Sequence, residues 1–347
     1  MIDAHLAKRA SVALDTYIVD CAWSGDSTAV AVAGGEGAVL LVSGVATHPQ
    51  LRKLGQHALG TLAIAWQPGS GAIASSGQDG TLMLWNADAA VAAKQLLNSG
   101  SAWTQHLAYA PDGKLAAATG KTLELWGRDG ERVAELAPHA SSIAAIAWDT
   151  AGRELAAATN RAMWIHRIEP PPFAAHAYEV ASACLTAAFS PNGRVLVAGM
   201  QDGAVHVWYR AAARDAHMRG YAARVALTCW SANGRLLATS AGSQIVIWDF
   251  GGKGPEGSTP LELSAHTDRI DCLAYQPGGP WLASGGRDWR VALWWPGKAE
   301  LPADVQPCAS EVSVLRWSPD GRLLAVGERG GQLSIYALVT KSASRAR

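Results

Sequence analysis

Two stretches of the sequence carry a histidine, a serine, an aspartate and a tryptophan at identical spacing. The serine lies 18 residues after the histidine, the aspartate 4 residues after the serine, and the tryptophan 6 residues after the aspartate. The two sets are His57, Ser75, Asp79 and Trp85, and His266, Ser284, Asp288 and Trp294. Serine, histidine and aspartate can act together as nucleophile, base and orienting acid in acyl transfer. The same groups can instead hydrogen-bond one another inside a protein core, where every polar group needs a partner.

The spacing recurs because the whole chain repeats. The stretches ASSGQDGTLMLW (74–85), VAGMQDGAVHVW (197–208) and ASGGRDWRVALW (283–294) are close copies of one another. An aromatic residue lies 19 positions before the final tryptophan of each copy. Eight such aromatic residues occur along the chain: Trp23, Trp66, Tyr109, Trp148, Phe189, Trp230, Tyr275 and Trp317. Their spacing of 39 to 45 residues, with a turn signal such as APDG or SPNG after each, indicates one supersecondary unit repeated throughout.

Each unit has the pattern of short strands. In the sixth unit, LTCW is followed by the turn SANGR, by LLATS and, after a short loop, by QIVIW. Runs of four to six apolar residues separated by glycine and asparagine are typical of antiparallel hairpins. A weaker fourth strand precedes each first aromatic residue, as in LELSAH. Four antiparallel strands per unit, repeated radially, predict an all-β fold, the β-propeller.

These units resemble the WD-repeat family, and the resemblance covers residues 11–340. It implies that the histidine, serine, aspartate and tryptophan of one unit form a structural tetrad inside a blade, and it carries over in full onto the two sets above. It implies that Asp79 and Asp288 are buried and hydrogen-bonded to His57 and His266, respectively. We therefore expect these residues to brace blades, and we expect no catalytic residues. The alanine- and glycine-rich repeats resemble bacterial members of the family more than eukaryotic ones.

Eight first aromatic residues predict eight four-stranded blades, although seven is the commoner number in this family and is the alternative. Seven blades of this length would leave a whole unit unplaced. We expect a single domain over residues 1–340, in which the strand at about 6–14 serves as the outer strand of the last blade. Such a closure removes the free edges of the ring. Residues 341–347, KSASRAR, are expected to be a disordered tail.

The composition argues against several kinds of binding partner. Lys plus Arg and Asp plus Glu are equal, at 29 each, so no basic stripe favours nucleic acid. No apolar stretch approaches the length of a membrane span. The five cysteines include no CxxC pair, which is typical of buried, reduced thiols in a cytoplasmic protein. We expect no nucleic acid, no membrane and no cofactor among the binding partners, and the sequence does not give an oligomeric state.

Arginine and aromatic residues are concentrated on one predicted rim. In a propeller, the connections between blades (d–a) and the turns between second and third strands (b–c) open on the same rim. The candidate partner-binding residues there are Tyr17, Arg224, Arg269, Arg287, Trp289 and Arg329. Trp289 replaces the turn glycine found at Gly80 and Gly203 in sister units. Guanidinium forks beside flat aromatic surface suit a carboxylate-bearing partner.

The alternative is an ordinary solvated rim, because three carboxylates fall in the same sector. These are Asp268, Glu311 and Glu328. A second alternative, from another functional class, is a propeller enzyme or metal-linked protein that uses the mouth of the central channel. The innermost strands offer four ionisable side chains to it: Asp20, His106, Asp271 and Arg316. This is a poor catalytic set, and no P-loop, GxSxG or HExxH motif accompanies it.

No metal site is expected, because no HxH or HxxxH pair occurs on one strand. His166 and His206 are both predicted to pack inside their blades. Three polar stretches are predicted to be outer connections on the rim opposite the arginines: RIEPPPFAAHA, YRAAARDAHMRG and FGGKGPEGSTP. The predicted function is that of a rigid protein-interaction platform, which binds an acidic protein or peptide on the rim formed by d–a and b–c loops.

Overall fold

The computed structural model of the chain describes residues 4–88, 90–169, 173–212, 214–252 and 254–340. These residues form eight separate four-stranded antiparallel sheets arranged as the blades of a ring. The predicted all-β propeller and its eight blades are therefore confirmed, and the seven-bladed alternative is wrong. The tail predicted at 341–347 lies outside the described residues. Among the described residues there is no helix of the length and apolar character that a membrane crossing requires.

The strands follow the chain order, four to a blade. Blade 1 contains β2 (Ile18–Trp23), β3 (Ala29–Gly34), β4 (Ala38–Ser43) and β5 (Gln50–Gln56). Blade 2 contains β6 (Thr61–Trp66), β7 (Ala72–Gly77), β8 (Thr81–Asn86) and β9 (Lys94–Asn98). Blade 3 contains β10 (Thr104–Tyr109), β11 (Leu115–Thr119), β12 (Thr122–Trp126) and β13 (Arg132–Glu135). Blade 4 contains β14 (Ile143–Trp148), β15 (Glu154–Thr159), β16 (Ala162–Arg167) and β17 (Ala174–Glu179).

The second half of the ring repeats this order. Blade 5 contains β18 (Ala188–Phe189), β19 (Val195–Gly199), β20 (Val205–Tyr209) and β21 (Arg214–Met218). Blade 6 contains β22 (Leu227–Trp230), β23 (Leu236–Ala241), β24 (Gln244–Asp249) and β25 (Leu261–Ser264). Blade 7 contains β26 (Ile270–Tyr275), β27 (Leu282–Gly286), β28 (Arg290–Trp294) and β29 (Asp304–Pro307). Blade 8 contains β30 (Val312–Trp317), β31 (Leu323–Glu328), β32 (Gln332–Thr340) and β1 (Ala4–Ala13).

The strand from the start of the chain closes the ring. It begins and ends slightly earlier than the predicted 6–14, and it pairs antiparallel with β32 from Ala4 opposite Thr340 to Ala13 opposite Gln332. The outer edge of β32 is thereby covered along its whole length, and blade 8 reaches four strands like the others. Because the first and last strands share one sheet, the ring of blades is closed.

The apolar core lies between the blades. Eight clusters of buried side chains each combine residues of two neighbouring blades, and together they run round the whole ring. Four of the first-position tryptophans add an indole hydrogen bond to the innermost strand of the preceding blade. These are Trp23 to Arg316 O, Trp148 to Ala108 O, Trp230 to Ala188 O and Trp317 to Ala274 O. The repeated aromatic residue therefore fastens one blade to the next.

Turn chemistry follows the sequence signals. In the turns SPNG and SPDG, the glycines Gly193 and Gly321 have φ of 67° and 70°, a conformation that favours glycine. The asparagine of SPNG, Asn192, accepts hydrogen bonds from the Ser190 hydroxyl and the Arg194 N–H. These short turns open on the rim opposite the b–c turns, because successive connections in a meander alternate between its two ends. The five cysteines, all within the described residues, are unpaired.

Candidate functional site

The predicted arginine positions lie in the connections expected for them. Arg224 and Arg269 lie in the d–a connections that precede β22 and β26, while Arg287 and Arg329 lie in the b–c turns that follow β27 and β31. The structure joins three of these arginines through one acidic side chain, Asp271. The rim of blades 7 and 8 therefore carries a built cluster of charges.

Asp271 is the centre of this cluster. Its Oδ1 accepts a hydrogen bond from Arg269 Nε at 2.6 Å, and its Oδ2 accepts one from Arg287 Nε at 3.1 Å. Arg329 Nη2 lies 3.9 Å from the same Oδ2. The Asp271 side chain is only 10 % exposed, whereas the three arginine side chains are 38–50 % exposed. The recessed carboxylate thus fixes the positions of the guanidinium groups. Their solvent-exposed N–H groups remain free to donate to a ligand.

Carboxylates other than Asp271 also lie near these arginines: the exposed Asp268 accepts the Arg269 backbone N–H at 2.6 Å and adds a negative charge to the same rim. Arg329 Nε also lies 3.0 Å from Glu311 Oε2, so three guanidinium groups share two carboxylates. Glu328, which the sequence suggested as a neutralising group, is 1 % exposed and accepts the backbone N–H groups of Ala309 and Ser310 instead. Glu328 therefore stabilises the connection beneath the rim. We name the four side chains of Arg269, Arg287, Arg329 and Asp271 the arginine cluster.

A β-bulge places Asp271 at this position. The pairing of β26 with β27 slips between Ile270 and Cys272, so Asp271 is an extra residue. The same slip occurs at the start of the innermost strand in five other blades: blades 1, 2, 3, 4 and 8. In five of the six blades the extra residue lines the central channel, a cavity of about 450 Å³; these residues are Val19, Leu62, Gln105, Asp271 and Ser313. The bulge therefore connects the arginine cluster to the mouth of the channel.

Arg224 lies beside the cluster and does not belong to it. An open pocket of about 250 Å³ between blades 6 and 7 is lined by Arg224, Arg269 and Asp271 together with apolar atoms of Leu227 and Ile270. The pocket brings two guanidinium groups to the edge of a small apolar surface. This arrangement can accept a carboxylate next to an aliphatic side chain.

Tyr17 is separated from the arginines by its own contacts. Its ring covers Gly35, where an added Cβ atom would meet the ring, and its hydroxyl donates to Gly35 O at 3.3 Å. The side chain is 45 % exposed on the rim of blade 1. Tyr17 therefore packs on the first blade, next to the arginine-bearing sector and without a described contact to the cluster.

Trp289 is exposed and backbone-strained. Its φ is 62°, close to the φ of 74° and 75° at Gly80 and Gly203, which occupy the same turn position in blades 2 and 5. The side chain is 53 % exposed, and its carbonyl accepts the N–H of Cys308. A bulky residue in the left-handed region is unusual, and such strain is found mostly at functional sites.

We predict that the strain at Trp289 can be measured by two substitutions that both remove the ring. Trp289→Gly should be more stable than Trp289→Ala by about 1 kcal/mol, because only glycine adopts this φ without steric cost. Urea denaturation of both variants gives the difference directly. The same pair at Trp103, an exposed tryptophan without a positive φ, is the control and should not favour glycine. Equal stability of the Trp289 variants would mean that the turn is unstrained.

The repeated histidine, serine and aspartate lie inside the blades. In blade 7, Trp294 Nε1 donates to Ser284 Oγ at 2.8 Å, and Ser284 Oγ lies 2.7 Å from His266 Nε2. His266 Nδ1 lies 2.9 Å from Asp288 Oδ2, and this carboxylate also accepts the N–H of Thr267. Ser284 is fully buried, so no substrate reaches its hydroxyl. The chain of bonds braces the blade from its third strand to the d–a connection.

Blade 2 differs in one bond from the expected tetrad. Trp85 Nε1 and His57 Nε2 lie 2.7 and 2.8 Å from Ser75 Oγ, as in blade 7. His57 Nδ1, however, bonds Thr81 Oγ1 at 2.8 Å, and Thr81 in turn donates to Asp79 Oδ1 at 2.7 Å. His57 Nδ1 lies 3.4 Å from Asp79 Oδ1, so the two residues are in contact, and Thr81 makes the shorter bonds to both. Blade 7 has Arg290 at this position, which has no hydroxyl to intervene.

Other blades replace the tetrad with different residues. In blade 6, Tyr221 takes the place of the histidine: its hydroxyl accepts from Trp248 Nε1 at 2.6 Å and lies 2.7 Å from Thr239 Oγ1. In blade 4, His139 Nε2 lies 3.0 Å from Nε2 of His166, which replaces the tryptophan. The sequence signal for Tyr221 was available, since it lies nine residues before Trp230, as His57 does before Trp66.

The channel mouth holds the four ionisable side chains considered as an enzymatic alternative, namely Asp20, His106, Asp271 and Arg316. Arg316 Nη2 donates to Asp20 Oδ1 at 2.9 Å, and Asp271 is held by the arginine cluster. Burial lowers the pKa of His106. The two carboxylates are thus engaged by guanidinium groups, and no acid–base pair is formed with the histidine.

Known proteins give the same architecture. Three segments, residues 48–86, 172–209 and 257–294, match the family model for the WD domain, G-beta repeat. The computationally designed Ika8 protein, whose crystal structure is known, aligns with a TM-score of 0.79 over 95 % of this chain and 99 % of its own, at 17 % identity. This likeness concerns the fold. The chain is a β-propeller, and three of its segments are similar to WD40 repeats.

Similar sequences occur among eukaryotic proteins. THO complex subunit 3 of Arabidopsis thaliana is 29 % identical over 119 residues, 34 % of this chain and 38 % of that protein. Cell division cycle 20.4, cofactor of APC complex, from the same plant is 28 % identical over 153 residues, 42 % of this chain and 31 % of that protein. The chain thus aligns with about a third of the length of these relatives. Their eukaryotic origin does not support the resemblance to bacterial members.

Proposed function

We propose that this propeller is a protein-interaction platform that binds an acidic segment of a partner protein at the arginine cluster. The observation that carries the proposal is the convergence of Arg269, Arg287 and Arg329 on the recessed carboxylate of Asp271. That carboxylate fixes the guanidinium groups while their outer donor edges stay in solvent. Preorganised donors of this kind bind a carboxylate with little further loss of side-chain freedom.

Two neighbouring features support the same ligand chemistry. The pocket between Arg224 and Arg269 is also lined by Leu227, whose partly exposed aliphatic side chain can contact a residue beside the carboxylate. Trp289 adds an exposed ring in the same blade as Arg287, and tryptophan and arginine are the residue types that dominate contact energies in protein interfaces. The relatives named as a complex subunit and a complex cofactor also work with other proteins.

The proposal is tested with fluorescent peptides of matched sequence. One peptide alternates glutamate with leucine, and its control has glutamine in place of every glutamate. We expect the acidic peptide to bind in fluorescence anisotropy and its affinity to fall as salt is raised. Arg269→Glu with Arg287→Glu should weaken this binding by about 100-fold, because each charge-assisted hydrogen bond contributes about 1.5 kcal/mol or more.

The matched control carries the same double change at Arg153 and Arg194, two exposed arginines in a–b turns on the opposite rim. This variant should bind the acidic peptide like the unchanged protein. A thermal melt of each variant checks that the fold is kept. Equal affinity of the acidic and glutamine peptides, or equal affinity of the two double variants, would remove the basis of the proposal.

A further inference from the structure

Three side chains on the outer part of blade 5 point their polar atoms toward one place. Asp215 Oδ2 lies 2.7 Å from His206 Nε2 and 3.8 Å from His217 Nε2. The centroids of the two imidazole rings are 3.9 Å apart. One ligand-type atom from each of the three residues falls within 4.8 Å of the others. This group of three side chains lies far from the arginine cluster in sequence and belongs to a different blade.

The strand pairing of blade 5 dictates this arrangement. In the ladder of β20 and β21, His206 is directly opposite His217, and Trp208 is directly opposite Asp215. Because side chains alternate along a strand, all four project from the same face of the sheet. His206 is buried and stacks on Trp208, with ring centroids 4.1 Å apart and an angle of 11° between the planes. The backbone and this stacking hold one imidazole in place while the other two groups lie at the surface.

Two imidazole nitrogens and a carboxylate oxygen are a ligand set for divalent transition metals. Zinc binds such atoms at about 2.0–2.1 Å in a tetrahedron, which separates neighbouring ligand atoms by about 3.3 Å. The distances of 2.7 and 3.8 Å from Asp215 Oδ2 to the two imidazole nitrogens lie on either side of that value, and all three ligand atoms lie within 4.8 Å of one another, so side-chain rotations can bring them to zinc-binding geometry. Magnesium and calcium prefer sets made of oxygen atoms and are disfavoured here.

We propose that His206, Asp215 and His217 form a binding site for zinc or a similar divalent transition-metal ion. The site has three protein ligands and an open fourth position, because the Asp215 and His217 side chains are 54 % and 40 % exposed. The bound ion joins the third strand of the blade to its outermost strand. It therefore stabilises an edge strand, β21, that contributes only one buried residue, Met218, to the core.

The test uses the full chain after removal of metals with a chelator and titration with zinc chloride in a calorimeter. We expect one zinc ion per chain and no comparable binding of magnesium. His217→Ala removes a direct ligand and Asp215→Asn replaces a charged ligand by a neutral amide, so each should weaken zinc binding by more than about tenfold. Both residues are exposed, so the variants keep the fold, and circular dichroism verifies this.

The matched control is His5→Ala, which removes an exposed histidine from β1, the outermost strand of blade 8. It should bind zinc like the unchanged protein. Absence of zinc binding by the unchanged protein would overturn the proposal. So would zinc affinity that survives both His217→Ala and Asp215→Asn, or that is lost only when the His139–His166 pair of blade 4 is changed.

Discussion

Replacing Ser75 by alanine is expected to lower the free energy of unfolding by about 3 kcal/mol, whereas the same change at the adjacent Ser76 should leave it unchanged or raise it. Both serines are fully buried. Ser75 Oγ is the shared partner of Trp85 Nε1 and His57 Nε2, so its removal leaves two buried polar atoms unsatisfied. Ser76 Oγ has no hydrogen-bond partner among the described residues, so its removal takes away a polar atom that nothing satisfies.

Urea denaturation of the two variants measures the difference under identical conditions. Ser284→Ala in blade 7 should repeat the loss, because Ser284 Oγ is shared in the same way by Trp294 and His266. Equal unfolding free energies for Ser75→Ala and Ser76→Ala would show that the tetrad hydrogen bonds do not stabilise the blade. The comparison is internal, since both side chains are the same size and lie one position apart.

Mild acid is expected to destabilise the propeller through the histidine pair of blade 4. Burial, with smaller contributions from His139 and His176, lowers the pKa of His166 to about 4. The unfolded chain binds a proton at this residue near pH 6.5, well before the folded protein does. The contribution of His166 to the free energy of unfolding is therefore fully present above about pH 6.5. It is lost as the pH falls toward 4, and the whole loss is about 3 kcal/mol.

The variant that isolates this effect is His166→Gln, whose amide can still bond His139 Nε2 but does not titrate. Between pH 7 and pH 4 it should lose about 3 kcal/mol less of its unfolding free energy than the unchanged protein. Urea denaturation at several pH values between 7 and 4 measures these unfolding free energies. An unaltered pH dependence in His166→Gln would contradict the prediction.

The sequence was most informative where residues repeat. The period of the aromatic residues was enough to predict eight blades, because each blade must bury the same side chains against its neighbours. It failed at β21: RDAHM is polar and mostly exposed, and an outermost strand with little burial shows no apolar alternation. Such a pattern predicts a connection, and it therefore gives no reason to expect Asp215 and His217 beside His206. A search for two histidines on the same strand cannot find metal ligands that lie on two neighbouring strands.

The arginine rim was predicted in part, for a related reason. The positions of Arg269, Arg287 and Arg329 follow from counting along each unit, since every unit has the same connections. The role of Asp271 does not follow, because a β-bulge depends on how two strands pair and leaves no mark on either strand alone. Trp289 was recognisable as unusual only because sister turns have glycine at that position.

The pairing of β1 with β32 has a consequence for how the protein is made. During synthesis, β1 leaves the ribosome first, yet its partner is completed only after the other seven blades have been translated. If β1 and β32 paired before the blades between them had folded, closing a flexible loop of more than 300 residues would cost about 3 kcal/mol more chain entropy than closing a hairpin of about 15 residues. Ring closure is then the last step of folding, and until it occurs the nascent chain carries β32 as an open edge that can pair with a second nascent chain.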